Sequence, residues 1–185
     1  MKVTIRNINL NFPFDKYCKL IFAVPPSKDL TGIREIRFAD TYSHRKTDQD
    51  TFARYLQGNK GRDAVIEIHI PNILKGKIHE FTFKKYPEVA ALLLSQVIFH
   101  EIALHVHKFK RPGVKKEKIE IFAAQYTTAC YYRYLSSRKA KILAEYGRAS
   151  RNIQEMDEEG RNAARNSRDE IIVWLEQNKE GVPFL

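Results

Sequence analysis

Val97-Ile98-Phe99-His100-Glu101-Ile102-Ala103-Leu104-His105-Val106-His107 is the stretch on which the reading of this chain turns. His100-Glu101 opens the H-E-x-x-H pattern. In that pattern two histidines four residues apart share a helix face and hold a metal ion, while the glutamate beside the first activates water. Here the second histidine position is Leu104, whose alkyl group has no lone pair to donate. At about 100° per residue, position 104 lies ~40° around the helix from His100, whereas His105 lies ~140° around. His107 returns to the His100 face roughly 10 Å further along the axis, too far for two zinc–nitrogen bonds of about 2 Å to span easily. A local π-bulge would bring His105 onto the His100 face. Glu101 and His105 also form an i, i+4 pair of their own.

Working outward, Pro87-Glu88 is a good helix start, because proline lacks the N–H that would be unpaired there and an acidic residue suits the positive helix end. The spacing predicts a helix from Pro87 to about Lys108, apolar on most of its circumference and therefore buried. Pro112-Gly113 breaks it, and a second helix is expected from Lys115 or Lys116 to about Leu135. The N-terminal part reads as strands: Val3 to Leu10, Lys19 to Val24 closed by Pro25-Pro26, Ile33 to Phe38, and Ala64 to Ile70 ended by Pro71. Thr41 to Asp50 reads as an exposed loop, and Gln57-Gly58-Asn59-Lys60-Gly61 as a turn.

The 185 residues suffice for a buried core, and 43% hydrophobic and 11% aromatic residues fit a folded chain. No stretch reaches the roughly eighteen consecutive apolar residues of a membrane span. The N-terminus alternates like a strand and lacks a signal peptide's apolar segment, so a cytoplasmic protein with no membrane association is the expectation. Cys18 and Cys130 form no Cys-x-x-Cys pair and read as ordinary thiols. From Lys139 to Glu170 there are seven basic and seven acidic residues, so this is no cationic tail. It reads as a solvated helical pair packed by Ile142, Leu143, Tyr146, Ile153, Ile171, Ile172, Trp174 and Leu175.

Two segments together carry a resemblance. His100-Glu101-Ile102-Ala103-Leu104-His105-Val106-His107 is close to the H-E-I-G-H-H-V-H wording of bacterial zinc peptidases, and Glu120-Ile121-Phe122-Ala123 matches an E-x-x-A pattern on the following helix. Over Val97 to Leu135 the chain resembles zincin-like metallopeptidases whose third ligand is a glutamate. The resemblance implies His100 and Glu120 as metal ligands, Glu101 as general base, zinc as cofactor, and a peptide or protein as substrate or partner. It places the missing ligand at Leu104, and Ala103 where the family has glycine. The implied fold is α+β and zincin-like: an N-terminal mixed sheet, a buried active-site-type helix, a second ligand-bearing helix and a C-terminal helical extension. The corresponding division is residues 1–138 and 139–185.

Three functions follow as expectations. The first is a metallopeptidase-like protein with a degenerate zinc site, catalytically impaired and retained as a binding or regulatory module. In it Leu104 fills part of the vacated cavity and Glu101 hydrogen-bonds to a neighbour. The second is an active zinc hydrolase whose ligands are His100, Glu120 and a shifted His105. The third is a nucleic-acid adaptor using the six basic residues between Lys108 and Lys118 on a chain of net charge +10 and pI about 9.6. Tyr126, Tyr131, Tyr132 and Tyr134 read as helix-packing residues. No Gly-rich phosphate loop, Gly-x-Ser-x-Gly elbow or Cys–His pairing is present.

Overall fold

The computed structural model describes residues 1–6, 8, 10, 12–39, 52–56, 63–74, 77–110, 116–152, 154 and 156–178. The loop expected at Thr41 to Asp50, the turn at Gln57 to Gly61 and the break at Pro112-Gly113 lie outside them.

The described chain is α+β. Four strands, β1 (Lys2–Arg6), β2 (Ile33–Ala39), β3 (Ala53–Leu56) and β4 (Ala64–His69), form one mixed sheet in the order β1-β2-β4-β3. β1 and β4 run parallel to β2, and β3 runs antiparallel to β4. Alternation along β2 and β4 sends Ile36, Phe38, Ile66 and Ile68 into the core, each fully buried. On the other face Arg37 bridges Glu35 and Glu67 at 3.0 to 3.2 Å. The Arg37 hydrogen bonds hold the Glu35 carboxyl below its ordinary range. Gly32 takes a positive φ of 87° in the turn that feeds β2, a conformation open to glycine because it lacks a Cβ.

Lys19 to Val24, expected as a strand, is instead the end of a helix, α1 (Phe14–Phe22). Phe14, Tyr17, Cys18 and Ile21 fall at i, i+3, i+4 and i+7 and are all buried, so the helical period beginning at Phe14 outweighs the short apolar run. Two further helices, α2 (Ile70–Ile73) and α3 (Lys77–Lys85), follow β4.

The molecule is organised by α4 (Pro87–Lys110) and α5 (Lys116–Ala149). α4 is apolar on most sides, and Leu92, Leu94, Ile98, Phe99 and Ile102 are fully buried between the sheet and α5. By length and composition α4 could cross a membrane, but here most of it is core. α5 was expected to end near Leu135; it runs unbroken to Ala149, through the 138/139 division. α6 (Glu158–Gln177) packs back on α5, with Ile171 buried and Trp174 stacked on Tyr132 at 3.7 Å. Asp157 caps α6 by accepting from the Gly160 N–H at 2.8 Å.

Two charged contacts fasten α5 to the start of α4. Arg138 donates from Nε and a terminal nitrogen to the two Glu88 carboxylate oxygens, the Nε bond being 3.0 Å. Glu145 Oε2 accepts from the Glu88 and Val89 N–H groups at 2.7 and 3.0 Å, capping α4 from a neighbouring helix. Burial raises the Glu145 carboxyl, opposed chiefly by these two N–H bonds. Glu145→Ala leaves both donors buried without an acceptor and is expected to cost about 1–3 kcal/mol in urea unfolding. Glu145→Gln, which keeps an acceptor oxygen, should lose less.

Candidate functional site

His100 and Glu101 come to the surface of α4 at a cleft of about 640 Å³. α4 contributes Gln96, Val97, His100 and Glu101; α5 contributes Thr127, Thr128, Tyr131 and Tyr132; Ala53 of β3 and the preceding Phe52 complete the wall. His100 is half-buried, while Glu101 is buried at 6% exposure. Phe52 is half exposed at the rim.

Glu101 carries the site's unusual electrostatics. Its Oε2 is buried with no hydrogen-bond partner among the described residues. The carboxyl is pushed up to about 7, first by burial, with the Lys108 charge opposing and the Glu120 charge adding to the rise. A carboxylate stripped of water and donors lowers its free energy by taking a proton.

The remaining motif residues diverge. Leu104 is half-buried and packs against the main core. His105 is buried on another side of α4. Its Nε2–H donates to the Thr31 carbonyl at 2.8 Å, which leaves Nδ1 to accept from the Tyr55 hydroxyl at 3.0 Å. Both ring nitrogens are therefore engaged, and α4 is regular α-helix throughout, without the π-bulge that would turn His105 toward His100. His107 is buried with its ring edge-on to Phe122, and its Nδ1 has no partner among the described residues. Glu120 is exposed near the start of α5 and is not among the cleft-lining side chains. Ala123, from the same E-x-x-A pattern, is fully buried.

Zinc in a catalytic site takes three protein ligands, all within about 2.3 Å of the ion. The His100, His105 and Glu120 set is not gathered at one point. Among the described residues no three His, Cys, Asp or Glu side chains are grouped to hold a metal ion. As they stand, the donors do not fit zinc.

Sequence reasoning did not anticipate the wall opposite His100. Ala53 opens a strand too short to stand out in sequence, with Phe52 just before it, and the spacing of Tyr131 and Tyr132 reads as helix packing. Tyr132 does pack, on Trp174, yet both also line the cleft. The legible signal was the spacing of Thr127, Thr128 and Tyr131, in which Tyr131 stands four residues after Thr127 and three after Thr128, on one face of α5.

In comparison with known proteins, no protein family, no curated protein and no solved structure matches this chain.

The raised Glu101 carboxyl makes stability pH-dependent. Between its unfolded value of about 4.5 and its folded value of about 7 the native state holds a proton that the unfolded state has released, so this group's contribution declines as pH rises through that window. Glu101→Gln, which cannot ionise, should be more stable than the parent at pH 8. The difference should be at most about 3 kcal/mol and should shrink toward zero near pH 4. Urea unfolding of both proteins across that range measures it.

Proposed function

We propose that this chain is a zincin-like domain whose zinc site has degenerated, and that its cleft binds an extended peptide segment of a partner protein without hydrolysing it. The observation that carries the reading is the placement of His100 and Glu101 together in the wall of a cleft beside an edge strand, with no third His, Cys, Asp or Glu grouped with them among the described residues. The adjoining helix keeps the His-Glu order, while Leu104 belongs to the core and His105 is bonded elsewhere. A hydrolase built on His105 would have to break two buried hydrogen bonds before binding its metal.

The peptide-binding part rests on β3. The His69 N–H donates to the Phe52 carbonyl at 2.9 Å, so the alternating antiparallel ladder directs Phe52, Arg54 and Leu56 toward β4. The main-chain N–H and C=O of Ala53 and Tyr55 then face outward, along the edge that no described strand covers. An extended segment pairing there would obtain main-chain hydrogen bonds from β3. Its alternate side chains would enter the cleft between Phe52 and Tyr131.

Ala53→Pro removes one outward N–H without touching the bonds to β4, a substitution that edge strands tolerate. Extended peptides selected from a random library on the parent protein should bind the variant up to about tenfold more weakly, the value of one main-chain hydrogen bond. Elemental analysis should find zinc well below one per chain in the parent. Leu104→His should not gain a full site, because Glu120 is exposed and does not line the cleft. Stoichiometric zinc in the parent, or peptidase activity abolished by Glu101→Gln, would show the site to be a working one.

A further inference from the structure

Seven basic and seven acidic residues lie between Lys139 and Glu170, and those among the described residues are not evenly mixed in the fold. Glu145 is withdrawn into the interior to cap α4, and Asp157 is committed to the N-terminus of α6. On α6, Arg161, Arg165 and Arg168 fall within about 60° of arc, at i, i+4 and i+7. Glu159 and Glu170 fall on the opposite flank, while Glu158 and Asp169 stay at the outer border of the arginine row.

α5 adds to the same flank. A Cβ built on Gly147 would find Arg151 terminal nitrogens at 3.8 and 4.0 Å and Arg168 Nε at 3.9 Å, so a guanidinium from the turn after α5 and one from α6 both border Gly147. Arg148, exposed beside them, reaches Glu145 at 3.4 Å. Arg168 has only a loose surface pair with Asp169 at 3.8 Å, and exposed pairs of this kind contribute little. Arg161 holds the Met156 carbonyl. Arg151 and Arg165 are exposed, and neither side chain has a hydrogen bond or ion pair with another described residue.

We propose that this α5–α6 flank is a docking surface for a nucleic-acid phosphate backbone. Guanidinium groups bind phosphate through paired donors, and two of them bordering Gly147 repel each other unless an anion lies between. Arg161 to Arg168 spans roughly 10 Å along the helix axis, long enough to face more than one phosphate of a strand. A row of anions fits that length better than a single phosphorylated side chain does. An anionic membrane would call for large apolar side chains beside the arginines. The strongly exposed apolar residue of α6 is Val173, which lies away from this row. The surface is distinct from the His100 cleft and does not depend on what occupies it.

The test is fluorescence anisotropy of the full chain with labelled duplex DNA and with single-stranded RNA across a salt series, alongside sedimentation with phosphatidylserine vesicles. Micromolar binding to at least one nucleic acid at low salt is expected, weakening steeply as salt rises. Replacing Arg151, Arg165 and Arg168 together by Gln should lower the logarithmic salt slope by about 2–3 and the affinity by about 10–100-fold. The single Arg165→Gln variant, at an exposed helical position, should lower the slope by about 1. The triple Arg→Lys variant should keep most of the slope. No binding to either nucleic acid, an unchanged slope in the Gln variants, or binding to vesicles alone would overturn the proposal.

Discussion

The antiparallel pairing of α4 with α5 is the contact on which the rest of the structure depends. α4 is too apolar to stand in water, and the sheet covers only part of its circumference. α5 supplies the other cover and also satisfies the buried N-terminal end of α4. Glu145 accepts from the first N–H groups of that helix, and Arg138 neutralises Glu88. Helix ends buried without acceptors are costly, so the register between the two helices is specified by polar contacts as well as by packing. That register sets which α5 side chains stand opposite His100.

The cleft follows from this arrangement. α4 and α5 diverge enough beside β3 to leave space walled by His100, Glu101, Thr128, Tyr131 and Phe52. Glu101 is held there by a buried helix rather than by partners of its own, which is why its carboxyl is raised. The group therefore sits near neutrality at ordinary pH, able to donate or accept a hydrogen bond. His105, the donor a rearranged metal site would need, is bonded to Thr31 and Tyr55 instead.

Much of the fold was legible from local patterns. The start of α4 at Pro87, its burial, the second helix, and the strands at Ile33 and Ala64 all emerge from period and breakers. The strand expected at Lys19 to Val24 failed because a six-residue apolar run does not distinguish strand from helix. The decisive residues, Phe14 and Tyr17, lie outside that run. α5 continues to Ala149 because no proline or glycine stops it near Leu135; the change to mixed charge there marks a change of surroundings along one helix and not its end.

The sequence by itself determined that position 104 cannot donate to a metal and that His105 lies on another helix face in a regular helix. It also determined that His100 and Glu101 ride on a buried helix. These depend only on side-chain chemistry and helical period. The tertiary structure alone decided the partners: His105 is engaged by Thr31 and Tyr55, 74 and 50 residues away, and Glu101 faces a cleft with one oxygen unpaired. It decided likewise that, among the described residues, Arg161, Arg165 and Arg168 of α6 lie on one flank and Glu159 and Glu170 on the other. Such outcomes depend on which distant segments pack together, and a local pattern carries no information about a neighbour that chain folding has yet to bring near.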